Sequence, residues 1–160
     1  MSWSRRGVLL AALALAACGF APVYGPGGTG TRLQDKVRTA DPRTPDDFAF
    51  AGRISERLGP DGTRYELDWR LRIAVVPQAI TPDEITTRYS LNGTASYVLT
   101  EIASGRTVAR GQVSSFTSYS TTGTTIATLA AEQDAHKRLA RLLADQVVTR
   151  LLALDPATLP

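Results

Sequence analysis

Arg64-Tyr65-Glu66-Leu67-Asp68-Trp69-Arg70-Leu71-Arg72-Ile73-Ala74-Val75 sets large apolar residues at odd positions and polar or small ones at even positions, without a break. Successive side chains of a β-strand point to opposite faces, so this period of two predicts a strand with one buried and one wet face. Beyond it, Pro77 and Pro82 bound a connector. A second strand runs from about Thr86 to Thr100, with Tyr89, Leu91, Ala95, Tyr97 and Leu99 on one side. Asn92-Gly93 inside it reads as a turn or bulge, and Ser104-Gly105 as a hairpin turn. A third strand covers about Arg106 to Tyr119. Its alternation slips near Gly111, which predicts a bulge there.

Helices flank these strands. Thr44-Pro45-Asp46-Asp47 opens one: Thr44 can cap, Pro45 suits the first helical position, and two aspartates favour the positive end of the dipole. Ala51, Ile54 and Leu58 share its face, and Gly59-Pro60 closes it. From about Thr125 to Leu154 a long helix carries Leu139, Leu142, Leu143, Val147, Leu151 and Leu154 as a stripe opposite Lys137, Arg138, Arg141 and Asp145. Arg32 to Val37 reads as a short first strand. The expected fold is α+β, with two helices packed on one face of a small, mostly antiparallel sheet of three to four strands. It forms a single domain over residues 32–155, with a tail at 156–160.

Upstream, Arg5 and Arg6 precede an apolar run, Gly7–Ala17, which ends Leu15-Ala16-Ala17-Cys18 with the only cysteine of the chain. This is the layout of an export signal, with a thiol where a lipoprotein signal peptidase cuts. The sulfur takes a diacylglycerol and the freed amine a further acyl chain, so the implied covalent groups are lipids at Cys18 and no other cofactor. Alternatives are a buried structural cysteine and a spanning helix, although the run falls short of the ~20 residues a bilayer needs. Ser4-Arg5-Arg6-Gly7 also fits a twin-arginine route. Residues 18–31, with Pro22, Gly25, Pro26, Gly27, Gly28 and Gly30, read as a tether.

Removing residues 1–17 of 160 leaves 143, enough for one modest core. The formal charge of +3 falls to +1 without Arg5 and Arg6, which argues against a nucleic-acid partner. With Cys18 consumed by lipid, no disulfide can form.

Catalytic patterns are missing from the sequence. No nucleophile elbow and no His/Cys cluster at metal-ligand spacing occurs, so neither a catalytic nor a metal site is expected and the chain does not read as an enzyme. Glu132 and His136, four apart, resemble half a metal site, but without a third ligand they read as a surface pair or a partner contact. Asp46 and Asp47 are accounted for by the helix start. The remaining candidates are Arg64, Arg70 and Arg72 on the wet side of one strand, with Arg88 and Arg110 on neighbouring strands. They form either a solvated face interleaved with Glu66 and Asp68 or a surface for phosphate or acidic groups.

Cys18-Gly19-Phe20-Ala21-Pro22-Val23-Tyr24-Gly25 resembles the mature start of the LPS-assembly lipoprotein LptE family, especially its alphaproteobacterial members. Ala127-Thr128-Leu129-Ala130-Ala131-Glu132-Gln133-Asp134-Ala135 is similar to the opening of that family's last helix. The resemblance departs at Gln34-Asp35-Lys36-Val37-Arg38, which is more charged, and at Ile126, where an aromatic is common. It implies an outer-membrane lipoprotein that plugs an LptD-type β-barrel, helps it assemble and takes part in placing lipopolysaccharide in the outer leaflet. The arginines would then meet lipopolysaccharide or the barrel. Gly19, in place of an aspartate, implies outer-membrane sorting. The competing reading is an auxiliary lipoprotein of a phospholipid-trafficking ABC system; a lipid-anchored hydrolase would need a nucleophile–base pair that the sequence lacks.

Overall fold

The protein is described by a computed structural model over residues 22–80 and 86–159; the leader, Cys18 and Pro82 lie outside the described residues. The elements in chain order are α1 (Thr29–Leu33), β1 (Val37–Thr39), α2 (Pro45–Leu58), β2 (Tyr65–Ile80), β3 (Thr86–Glu101), β4 (Thr107–Ser120) and α3 (Thr125–Leu152), with a 3-10 turn at Pro156–Thr158. Four strands form one sheet in the order β1-β2-β3-β4. Only β1 runs parallel to its neighbour; the β2–β3 and β3–β4 ladders are antiparallel. The α+β architecture expected from the sequence is therefore the one observed.

The odd-numbered face of β2 and β3 is the core face. Tyr65, Leu67, Leu91, Ala95, Tyr97 and Leu99 are buried there, together with Val113 of β4. Phe50, Ile54 and Leu58 of α2 close over it, and α3 contributes Ala135, Leu139, Ala140, Leu143, Ala144, Val147, Val148 and Leu151. Leu142, expected in that stripe, is instead 44% exposed. Alanines at 140 and 144 take the inward positions because the stripe of a 3.6-period helix drifts with each heptad. Polar ties join the two long helices: His136 to Asp46 at 3.0 Å, Arg141 to Glu56 at 2.9 Å, and Arg53 and Arg57 to Asp145 at 2.9 and 3.1 Å. The paired numbers rise together, so α2 and α3 run in the same direction. The hydrogen bond to Asp145, then that to Glu56, raises the pKa of Arg53 above its ordinary value.

At the start of α2 the Thr44 hydroxyl accepts from the Asp47 amide at 3.2 Å, and the Asp47 carboxylate accepts from the Thr44 amide at 3.0 Å. Two amides that the helix leaves unbonded are thereby satisfied. Thr44→Ala is expected to cost about 1 kcal/mol, read as a lower urea midpoint at unchanged slope.

Several local expectations are corrected. Arg32–Val37 is not a strand: α1 takes its first two residues, and only Val37–Thr39 pairs, with Tyr65–Leu67. Pro77 lies within β2, opposite Tyr89, where the ladder becomes irregular between Pro77 and Ala79. Asn92-Gly93 makes neither turn nor bulge but sits in mid-strand, paired with Ala74 and Ile73. Gly93 has no side chain because a Cβ there would lie 2.9 Å from Leu139 Cδ2 and 3.0 Å from Leu143 Cδ1. Gly111 is in register opposite Tyr97, and its missing Cβ leaves room for the Tyr97 ring; the irregularity falls at Leu99/Thr100 instead. Burial pushes the Tyr97 hydroxyl up in pKa.

Both expected boundaries also move. Residues 22–28 turn back on themselves, with Gly25 N donating to Pro22 O and Gly30 N to Val23 O, each at 2.9 Å. The Thr29 hydroxyl donates to Leu154 O at 2.7 Å and the Arg32 guanidinium to Leu159 O at 2.8 Å. Leu159 is buried. Residues placed in a tether and a tail thus close the end of the core instead.

Candidate functional site

From Asp68 to Ala74 the even-numbered residues of β2 and their register partners on β3 and β4 face away from both helices, and no described helix covers them. Register sets them in rows: Asp68–Val98–Arg110, Arg70–Ser96–Gln112, Arg72–Thr94–Ser114 and Ala74–Asn92–Phe116. Arg70, Arg72 and Arg110 therefore lie in three consecutive rows. Arg110 stands two strand spacings from β2, roughly 10 Å. Arg88 shares the face but lies six residues along β3 from Thr94, opposite Ser120, in its own hollow with Gln78, Thr87 and Thr122. Arg64 stands at the opposite end, 3.9 Å from Glu101 and over the Tyr65 ring at 5.6 Å.

The interleaved acids are only partly used. Glu66 pairs with Arg38 of β1 at 3.2 Å, following the Arg38–Glu66 register. Among the described residues Arg70, Arg72, Arg88 and Arg110 make no ion pair. Their guanidiniums remain available to an external carboxylate or phosphate, which they can meet in a bidentate fork.

Sequence reasoning missed Phe116. It is 72% exposed and, with Arg72, walls a concavity of about 510 Å³ floored by Ala74, Asn92, Thr94 and Ser114. Its parity matches that of Arg110, so counting in twos along β4 would have placed it on the wet face. Exposed aromatic rings are among the residue types enriched at the cores of interfaces.

His136 does not pair with Glu132: its Nδ1 meets Asp46 Oδ2 of α2. That pair forms the ridge between two grooves. One, about 800 Å³, is lined by Pro45, Phe48, Ala49, Leu129 and Lys137. The other, about 900 Å³, lies beyond the end of β1 and is lined by Asp41, Arg43, Asp68, Trp69, Leu71 and Ile73. No three acidic, histidine or cysteine side chains gather as metal ligands among the described residues. No helix among them is long and apolar enough to cross a membrane.

The profile of the lipopolysaccharide-assembly family LptE matches residues 30–151, from α1 to the last turn of α3. The chain belongs to the LptE family. No protein of curated function matches it in sequence. Among solved structures it is similar to a lipoprotein from Caulobacter crescentus CB15, at 17% identity and a TM-score of 0.62, covering 78% of this chain and 92% of that one. Rare lipoprotein B from Shewanella oneidensis follows, at 11% identity and 0.55, covering 72% and 91%. Lipoprotein B from Nitrosomonas europaea is also similar, at 12% identity and 0.56, covering 74% and 82%. At such identities these likenesses carry the fold, while the family match carries the assignment to lipopolysaccharide assembly.

Proposed function

We propose that this LptE-family lipoprotein is held to the outer membrane through acyl chains on Cys18 and sits in the lumen of an LptD-type β-barrel. There it helps the barrel assemble and takes part in passing lipopolysaccharide to the outer leaflet, a structural role without catalysis. The observation that carries this reading is a sheet face that no described helix covers, with four arginines that make no ion pair among the described residues. On a protein surrounded by water such a face would be merely solvated; inside a polar lumen it becomes an interface. Arg70 and Arg72 are its centre, with Arg110 beside them. Arg88 supplies a separate contact, and Arg64 contributes less because Glu101 already engages it.

The test is a detergent pull-down of the tagged full-length protein from its own outer membranes. A β-barrel recovered at near-equal amount supports the reading. Arg70→Glu with Arg72→Glu is expected to lower that recovery at least tenfold: one charge-assisted hydrogen bond contributes ~1.5–3 kcal/mol, and about 1.4 kcal/mol is a factor of ten. The expected urea midpoint of the domain stays unchanged, since neither arginine makes an ion pair among the described residues. Recovery of inner-membrane transporter subunits without a barrel would overturn the reading in favour of the phospholipid-trafficking alternative.

A further inference from the structure

Among the described residues the edge of β2 is unpaired where β1 stops. Residues 65–67 pair with β1, and the chain then leaves the sheet after one more bond, from Ala40 N to Leu67 O at 3.0 Å. Tyr65 N donates outward to Lys36 O at 2.9 Å. Odd-numbered residues of β2 therefore turn both backbone groups away from β3, and even-numbered residues turn theirs toward it. The β2–β3 register runs without a shift from Tyr65 to Pro77, so this alternation persists along the strand. The N–H and C=O groups of Trp69, Leu71, Ile73 and Val75 accordingly form an outward row with no backbone partner among the described residues. Pro77, the next odd residue, has no N–H to offer, which is where an edge tolerates proline and where this row of donors ends.

A ready-made row of donors and acceptors is a template for another strand, and folded proteins ordinarily blunt or cover such edges. Here the edge borders the groove of about 900 Å³ instead. On its core side the half-buried Trp69, Leu71 and Ile73 extend the apolar surface past the reach of α2. Trp69 Nε1 is buried there without a hydrogen-bond partner among the described residues. On the wet side stand Asp68, Arg70 and Arg72. The acids at the helix end of the groove are already engaged, Asp47 by the cap and Asp46 by His136.

We infer that the Trp69–Val75 edge of β2 accepts an extended segment of the barrel partner as an added strand. The main-chain row selects a strand over a helix or a lipid. Side-chain chemistry narrows it further: apolar residues at alternate positions to lie over Trp69, Leu71 and Ile73, and acidic residues facing Arg70 and Arg72. A second copy of this chain fits poorly. Its own β1 blocks residues 65–67, and a two-fold pairing centred on Leu71 would set Arg70 against Arg72. The inference rests on the barrel reading above and adds the mode of contact.

Residue-resolved hydrogen exchange on the full lipidated protein, free and in the co-purified complex, tests it. The amides of Leu71, Ile73 and Val75 are expected to slow about a hundredfold in the complex. Those of Arg70, Arg72 and Ala74 are bonded to β3 in both states and should change little. Ile73→Pro removes an edge donor without touching the β3 ladder and should lower barrel recovery about tenfold. Its urea midpoint serves as the folding control, and Val75→Pro is the second variant should the first unfold. A barrel that co-purifies while Leu71 and Ile73 keep exchanging at the free rate overturns the added strand and leaves the barrel reading standing. No barrel with the unaltered protein overturns both.

Discussion

Truncating Leu143 to alanine is expected to cost the fold about 2–5 kcal/mol, a large share of the ~5–15 kcal/mol that holds a domain together. Leu143 is fully buried, and α3 brings it down onto β3 at Gly93. The site has a built-in counter-test. Gly93→Ala places a methyl 2.9 Å from Leu139 Cδ2 and 3.0 Å from Leu143 Cδ1, an overpacking expected to cost about 1–3 kcal/mol by itself. In the Leu143→Ala background that methyl enters space the leucine has vacated. The double variant should therefore be more stable than the two costs predict when added, by about 0.5–3 kcal/mol. Urea titration followed by Trp69 emission reads all four proteins, because Trp69 is the only tryptophan after residue 17. Strict additivity would mean that the helix does not pack on the strand through this contact.

That contact also marks how far the sequence could be read. The alternation from Arg64 to Val75 was legible because a half-buried strand must separate its faces, and the alternation alone determines the parity of the arginines. The capping sequence at Thr44 was legible for a similar reason: a helix end has few ways to satisfy its first amides. Gly93 and Gly111 were misread because a glycine in a strand signals either a bulge or a close approach. Only the side chains above it decide which: Leu139 and Leu143 in one case, the Tyr97 ring in the other. The 22–33 segment was misread because its glycines and prolines make tight turns as readily as a loose tether, and the deciding partners, Leu154 and Leu159, lie more than a hundred residues away. The edge of β2 left unpaired among the described residues was invisible for the same reason. It exists because β1 ends after three residues, a property of how far one strand reaches along another and not of either strand's composition.

Replacing Cys18 by alanine is expected to abolish both maturation and outer-membrane placement. The lipoprotein peptidase acts on a diacylglyceryl cysteine, so the variant should keep residues 1–17 and carry no acyl mass, read directly by intact-protein mass measurement. The unaltered chain should instead begin at Cys18 and carry several acyl chains. Each buried methylene contributes ~0.8 kcal/mol, and two or more chains hold stably where one is marginal. A second variant separates anchoring from folding: a cleavable secretory leader replacing residues 1–18 should release the domain in soluble form with the same urea midpoint and the same Trp69 emission. A structural cysteine in the core would instead lower that midpoint. The fold gives the anchor a geometric consequence as well. Residues 22–33 are fastened to the segment that follows α3 through Leu154 and Leu159, and in the sequence Gly19, Phe20 and Ala21 are the residues between Cys18 and Pro22. Even fully extended, that span reaches about 14 Å. The lipid would therefore hold one end of the sheet against the bilayer, while β2 and β3, each of 16 residues, extend roughly 50 Å along their own axes. Inserting ten Gly/Ser residues after Ala21 should leave folding and membrane binding intact yet reduce barrel recovery, because the body is no longer presented from a fixed height. Unchanged recovery would show that the anchor sets location alone and that the barrel contact sets orientation.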